Sequence, residues 1–239
     1  MYKYFISFVF SLLFSCLLIS QNQDKNISTK DTAVYKTAYG IRLGIDLSKP
    51  LLSIVDKSYK GIELLGDYRI SKRWYIAAEL GYEKETSFED FTTSSAKGSF
   101  IRLGANYNAY RNWLNMNNEI YLGVRYGLAL FEHSLLNFTP NVATGIENLP
   151  PYFPSQTVDN PTTGTRLSAH WTEIQLGIKV QVFKNLFLNA GFSSKIILSI
   201  SNLSNFKTLY SPGFNRVYQN NTGFGFFYTI SYLIPFVNK

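Results

Sequence analysis

Tyr39-Gly40-Ile41-Arg42-Leu43-Gly44-Ile45-Asp46-Leu47 is the stretch that decides the fold. Its odd-numbered residues are apolar, and its even-numbered residues are glycine or charged. Successive side chains of a β-strand point to opposite faces, so this strand has one hydrocarbon face and one small, polar face. Such a strand is typical of a sheet that separates an apolar medium from a polar one.

The same alternation recurs in seven later stretches. The predicted strands cover residues 37–47, 59–70, 73–83, 99–110, 119–132, 169–183, 186–200 and 223–236. The links at 71–72, 111–118 and 184–185 are shorter, whereas those at 48–58, 84–98, 133–168 and 201–222 are longer. This arrangement predicts an all-β fold, an eight-stranded antiparallel up-and-down transmembrane β-barrel with short periplasmic turns and long external loops.

The N-terminal residues predict export from the cytoplasm. Lys3 precedes an apolar run from Phe5 to Ile19, and Ser20 follows, which is typical of a cleaved signal peptide over residues 1–20. The apolar run is shorter than the roughly 20 residues of a membrane-spanning helix. Residues 21–36 are polar and predict a flexible leader, which leaves residues 37–239 as the barrel domain. We therefore expect the protein in the outer membrane of a Gram-negative bacterium.

The composition excludes several classes of protein. Of the 239 residues 46% are hydrophobic and 16% aromatic, so the chain has enough apolar surface to fold. The net charge is +7, but the basic residues are dispersed singly among the strands, so we expect no nucleic-acid partner. The single cysteine, Cys16, lies in the predicted signal peptide, so we expect no disulfide in the mature chain. No metal-ligand or nucleotide-binding motif appears, and no cofactor is expected.

The polar face of the predicted strands is expected to line the lumen. It is rich in glycine, which weakens an exposed strand but suits the narrow interior of eight strands. Six positive and six negative residues on this face predict a lumen closed by ion pairs, although charges on a solvated face also tend to balance. The predicted lumen charge network comprises Arg42, Asp46, Glu63, Asp67, Arg69, Glu79, Arg102, Glu119, Arg125, Glu173, Lys179 and Lys195.

Aromatic residues favour an apolar face that points outward into lipid. Two interfacial girdles are expected of an outer-membrane barrel. The predicted girdle near the short turns comprises Trp74, Tyr107, Tyr110, Trp113 and Phe236. The predicted girdle near the long loops comprises Tyr59, Tyr82, Phe100, Trp171 and Phe224. The alternative, a soluble periplasmic lipid-binding barrel, requires the opposite facing of every strand.

The two histidines raise the alternative of an outer-leaflet lipid A-modifying enzyme. His133 and His170 both fall at the long-loop ends of predicted strands. Such enzymes need a histidine beside a nucleophile or an acid. Glu132 and Ser134 adjoin His133, but neighbouring strand residues point to opposite faces. We therefore expect a protein without catalytic residues.

Three segments resemble an uncharacterised family of Bacteroidota outer-membrane proteins, a domain of unknown function. They are Gly40-Ile41-Arg42-Leu43-Gly44-Ile45-Asp46-Leu47-Ser48-Lys49-Pro50, Tyr59-Lys60-Gly61-Ile62-Glu63 and Lys97-Gly98-Ser99-Phe100-Ile101-Arg102-Leu103-Gly104. The architecture is similar to small barrels of the OmpA/OmpX type. The resemblance implies location and fold, and supplies no activity and no functional residues.

The expected function is a structural, adhesion or surface-interaction role through the external loops. The long links at 133–168 and 201–222 are expected to be mobile and to present the binding surface, since loops on a rigid scaffold usually carry recognition. The expected partners are outer-membrane lipid and lipopolysaccharide, the barrel-assembly machinery, and an extracellular protein or glycan.

Overall fold

A computed structural model describes residues 38–110, 117–139, 157–159, 161–203 and 206–238. The predicted signal peptide and leader lie outside the described residues, as does most of the 139–161 link. The elements are β1 (Ala38–Asp46), α1 (Ser48–Val55), β2 (Tyr59–Arg69), β3 (Trp74–Glu89), β4 (Thr92–Asn108), β5 (Glu119–Phe138), β6 (Thr162–Phe183), β7 (Leu186–Ile200), β8 (Tyr210–Ser211), β9 (Asn215–Arg216) and β10 (Thr222–Asn238).

In the described part of the chain, eight strands close into an antiparallel barrel. Sequence neighbours pair from β1 through β7, β10 then pairs with β7, and β10 also pairs with β1. The closing pair runs from Ala38 opposite Asn238 to Asp46 opposite Thr229. The predicted eight-stranded up-and-down barrel is therefore confirmed. β1 begins and β10 ends at the same end of the barrel, which we call the terminal end. We call the opposite end the loop end.

The height of the wall varies around the barrel. β1 has 9 residues and β2 has 11, whereas β3, β4, β5 and β6 have 16, 17, 20 and 22. The predicted long link at 84–98 is wrong, because β3 and β4 continue to a tight turn at residues 90–91. The sequence there, Thr92-Thr93-Ser94-Ser95, is polar on both faces, so the alternation that identifies a strand is lost.

The outer surface is apolar over the body of the barrel. The exposed large side chains are those that the alternation assigned outward on all eight strands. They include Leu43, Ile45, Ile62, Leu64, Tyr68, Trp74, Ile76, Leu80, Tyr82, Ile101, Leu103, Ile120, Leu122, Val124, Tyr126, Leu130, Ile174, Leu176, Ile178, Val180, Leu188, Phe192, Ile196, Leu198, Phe224, Phe226, Tyr228, Tyr232, Ile234 and Phe236. Monomeric soluble proteins rarely expose a continuous apolar surface of this kind.

The described part of the 201–222 link, residues 201–203 and 206–222, folds into the loop end instead of standing free. Its small hairpin, β8 and β9, carries residues 210–214 into the lumen, where all five are buried. Gly213 has φ of +77°, and a Cβ there would collide with the Phe100 ring, so this turn requires glycine. We call residues 206–217 the plug. The prediction of an external, mobile 201–222 loop is wrong for this segment.

The 48–58 link contains α1, which follows β1 directly. Its apolar residues Leu51, Leu52, Ile54 and Val55 are exposed, and none of its residues is buried. Among the residues described, no helix has both the length and the apolar character needed to cross a membrane.

Candidate functional site

The lumen is lined by the charged residues of the predicted network. Eleven of the twelve are at most 8% exposed, and the side chain of Glu79 is 10% exposed. Alternation explains this placement, because each residue shares its parity with the inward residues of its strand. A buried charge is unfavourable unless it is paired, so the partners of these residues decide what the lumen can do.

Near the terminal end, four residues form the terminal cluster: Arg42, Asp67, Glu119 and Lys179. Arg42 Nε donates to Asp67 Oδ1 at 2.6 Å, and Arg42 also pairs with Glu119. Lys179 Nζ donates to the other oxygen of Asp67, Oδ2, at 2.6 Å. The Arg42 guanidinium also stacks 4.6 Å from the centroid of the Tyr75 ring. Two cations and two anions thus neutralise each other within one cluster.

Halfway along the barrel, Arg102 joins three carboxylates in the central cluster. It pairs with Glu63, with Glu79 through Nε at 2.7 Å and with Glu173 through Nη1 at 3.2 Å. Arg125 Nε donates to Glu79 Oε1 at 3.0 Å. A single guanidinium thereby links β4 to its neighbour β3 and to β2 and β6, each of which is separated from β4 by one strand.

Little open space remains around the central cluster. A cavity of ≈ 30 Å³ is lined by residues of both clusters, among them Asp67, Arg102 and Lys179. This volume accommodates about one or two water molecules and no larger ligand. In the described part of the chain, therefore, paired side chains fill the middle of the lumen.

At the loop end, the mouth cluster fastens the plug to the wall; it comprises Glu83, Lys49, Tyr59, Tyr210 and Gly213. Glu83 is fully buried and accepts hydrogen bonds from Tyr210 Oη and from the Gly213 backbone N–H, both at 2.8 Å. It also accepts from Tyr59 Oη at 3.1 Å and pairs with Lys49 of α1. Burial favours neutral Lys49, but the charges of Glu83 and Glu63 outweigh it and hold the pKa of Lys49 above its usual value.

The alternation could have identified Glu83, which the predicted network omits. It shares the parity of Glu79 but falls where the third strand was predicted to end. Lys49 lies in a predicted link, and nothing in the sequence indicates that its side chain reaches the lumen.

Three residues of the predicted network have no ion pair among the described residues. Asp46 accepts the Ser48 backbone N–H at 2.8 Å. Arg69 donates to the carbonyl oxygens of Ser71 and Lys72, at 3.2 and 2.8 Å. Lys195 donates to the Gly213 carbonyl at 2.7 Å and so holds the plug. These groups use backbone partners at strand ends and in the plug, which the parity of a strand does not reveal.

Three aromatic residues assigned to the loop-end girdle instead point inward. Tyr59, Phe100 and Trp171 are at most 4% exposed. Trp171 packs edge-on against Phe214 of the plug, with ring centroids 6.1 Å apart. A Cβ on Gly127 of the next strand would collide with the Trp171 indole, so this glycine makes room for the ring. Tyr82 and Phe224 point outward as predicted.

Within the described ranges, the structure does not bring the two histidines together with catalytic partners. His133 is fully buried, and its ring stacks on Phe206 with centroids 5.4 Å apart. Neither ring nitrogen has a hydrogen-bond partner within the described residues. His170 Nδ1 lies 2.8 Å from Tyr126 Oη, toward the exterior. No group of three or more metal-ligating side chains occurs in the described ranges.

Comparison with known proteins gives a family but no activity. The model of one protein family, described as Domain of unknown function (DUF6048), matches residues 1–239. No curated protein sequence matches the chain. The crystal structure of Neisserial surface protein A (NspA) is similar with a TM-score of 0.40 and 14% identity, covering 82% of this chain and 96% of that one.

Proposed function

Since the chain belongs to the DUF6048 family, whose description assigns no activity, we propose its role from its geometry: a sealed outer-membrane β-barrel that acts without catalysis at the cell surface. The observation that carries this proposal is the facing of the strands, with hydrocarbon outside and paired charges inside. A closed barrel leaves no unpaired strand edge in lipid, which a membrane-spanning sheet requires. A soluble lipid-binding barrel would have its apolar face inside.

The strand lengths support this placement. A transmembrane β-strand needs about 9–11 residues, which is the length of β1 and β2. β3 to β6 exceed this length and would project from the membrane at the loop end. The projecting wall and the plug would then form the surface offered to an extracellular protein or glycan.

The filled lumen supports a role other than transport. An open channel needs a continuous polar passage. In this barrel the terminal, central and mouth clusters follow one another along the axis, and their paired side chains occupy that passage. Outer-membrane lipid, lipopolysaccharide and the barrel-assembly machinery are the partners that such a protein needs for its placement. The Bacteroidota source and the cleaved signal peptide stay predictions.

The first test is extraction and electrophoresis of the full-length protein. We expect it in the outer-membrane fraction, soluble only with detergent, with an electrophoretic mobility that changes on boiling. Reconstituted in a planar bilayer, it should give no steady conductance. Extraction without detergent, or a stable conducting state, would contradict the proposal.

The second test is orientation on intact cells. Asn220, beside the plug, and Lys184, in the β6–β7 turn, are both exposed but lie at opposite ends. A membrane-impermeant maleimide should label Asn220→Cys on intact cells, whereas Lys184→Cys should react only after permeabilisation. The reverse pattern would refute the proposed orientation.

A further inference from the structure

Three lysines lie side by side on the outer wall toward the loop end. The register places Lys60 of β2 opposite Lys84 of β3, and Lys84 opposite Lys97 of β4. All three are exposed, and each shares the parity of the outward residues of its strand. Adjacent strands lie about 4.8 Å apart, so the three side chains leave the wall within about 10 Å of one another. We call these three residues the lysine row.

The positive charge of the lysine row is only partly neutralised by the protein. Lys97 pairs with Glu132 of β5 at 3.1 Å, and both side chains are substantially exposed. Among the described residues, neither Lys60 nor Lys84 has an ion-pair partner. Like charges directly opposite each other destabilise an antiparallel pair of strands. An anion bound between Lys60 and Lys84 would remove this repulsion.

The apolar surface of β3 fixes the height of the lysine row in the membrane. The outward residues of β3 are apolar from Trp74 to Tyr82, with an aromatic side chain at each end. Residues 74–82 match the length of about 9–11 residues that a transmembrane strand needs, and aromatic side chains mark the two membrane interfaces. Lys84 is the next outward residue beyond Tyr82. The lysine row therefore lies at the level of lipid headgroups.

A shallow groove on the outer wall adjoins the lysine row. Its volume is ≈ 320 Å³, and it contains Ser99, whose small side chain lies in register between the larger Tyr82 and Leu130. The charged residues that line it are Lys97, Arg166 and the anion Glu132. The groove thus joins cations at headgroup level to the hydrocarbon surface of the barrel. Such a surface suits an amphiphile with an anionic headgroup.

We propose that the lysine row and this groove bind one molecule of lipid A from the outer leaflet. A phosphate of its headgroup lies between Lys60 and Lys84, and one acyl chain lies over Ser99, between Tyr82 and Leu130. Lysine is a compact positive charge that binds phosphate well. The row extends over three strands, which fits the broad phosphorylated sugar headgroup of lipid A better than the single phosphate of a glycerophospholipid. The inference rests on the membrane placement proposed above, which puts the loop end in the outer leaflet.

Native mass spectrometry of the full-length protein tests the inference. The detergent-solubilised barrel is mixed with bisphosphorylated lipid A, with dephosphorylated lipid A of the same acyl chains, or with phosphatidylglycerol. We expect one retained molecule of the bisphosphorylated lipid A, bound at least about tenfold more tightly than either of the other two lipids. Equal retention of the two forms of lipid A, tighter retention of phosphatidylglycerol, or retention of none overturns the inference and leaves the membrane placement intact. A protein soluble without detergent overturns the placement itself.

Matched variants locate the bound lipid A. A double variant, Lys60→Gln with Lys84→Gln, removes two cations of the row, and Lys207→Gln removes an exposed lysine of the plug. Loss of the charged contacts should weaken lipid A binding about tenfold or more in the double variant, with no change in Lys207→Gln. Without lipid, the double variant should resist urea at least as well as the wild type, because the facing like charges are gone. Lipid A binding by the double variant equal to that of the wild type overturns the inference.

Discussion

Replacing Glu83 by Gln should release the plug without unfolding the barrel. Glu83 accepts from Tyr210 and Gly213 of the plug at 2.8 Å, accepts from Tyr59 at 3.1 Å and is the ion-pair partner of Lys49. Removing one partner of a buried ion pair costs about 3–5 kcal/mol. The amide retains one acceptor oxygen, so we expect the lower end of this range. About 3 kcal/mol corresponds to a roughly 100-fold larger population with the plug open.

Hydrogen exchange in detergent micelles measures this population. The Gly213 amide donates directly to Glu83, so peptides covering residues 210–214 should exchange about 100-fold faster in Glu83→Gln. Amides of the paired strands should exchange as in the wild type, because their hydrogen bonds do not involve Glu83.

A matched control separates the buried pair from a generic loss of charge. Glu132→Gln removes the partner of Lys97 at 3.1 Å, where the two side chains are 42% and 52% exposed. Surface pairs contribute about 0–1 kcal/mol, so plug exchange should change by less than about fivefold. Unchanged exchange of the plug in Glu83→Gln, or equal acceleration in both variants, would refute the reasoning.

Three further substitutions test the interior through the free energy of unfolding, measured by urea titration in micelles. Arg102→Met removes the ion-pair partner of buried Glu63 and Glu173 and leaves Glu79 paired with Arg125 alone, so it should lower that free energy by about 3–5 kcal/mol, whereas Arg166→Met, at the surface, should change it little; similar values for both would contradict the central cluster. His133→Phe removes two buried nitrogens that have no partner among the described residues but keeps an aromatic ring, so stability should be equal or about 1 kcal/mol higher, and a loss above about 2 kcal/mol would indicate a missed polar role. Gly127→Ala forces its Cβ against an indole ring and should cost about 1–3 kcal/mol, in contrast to Gly66→Ala, whose Cβ meets its nearest atom at 3.4 Å; equal stability of these two variants would contradict the packing.

The fold could be predicted from sequence wherever the two faces of a strand differ. The prediction for β1, residues 37–47, agrees closely with Ala38–Asp46, because hydrocarbon and polar residues alternate along its whole length. The distal ends of β3 and β4, residues 84–89 and 92–98, escaped prediction, since polar residues occupy both faces there and the period of two disappears. The same loss of pattern hid the ends of β5 and β6.

Alternation indicates which strand residues face the lumen, but it does not indicate Lys49 of α1 or which residues pair with each other. Parity places Arg102 and Glu79 inside, but it does not tell which acid each arginine reaches across the lumen. That choice depends on the register of strands distant in sequence. The plug was not predicted at all, because Pro212-Gly213-Phe214 resembles a surface turn. Its burial depends on packing against the rings of Phe100 and Trp171, which are distant in sequence.

The shortness of β1 also bears on the order of folding. Seven of the eight strand pairs join neighbours along the chain, apart from the inserted plug, whereas β1 and β10 come from opposite ends of the barrel domain. Joining segments that are distant in sequence has the largest entropic cost of loop closure, so the β1–β10 pair should form last. Until then the chain is a curled sheet with two open edges, which the hydrocarbon core does not tolerate unshielded. Nine residue pairs at most complete the ring, so the last step of closure depends on one short strand.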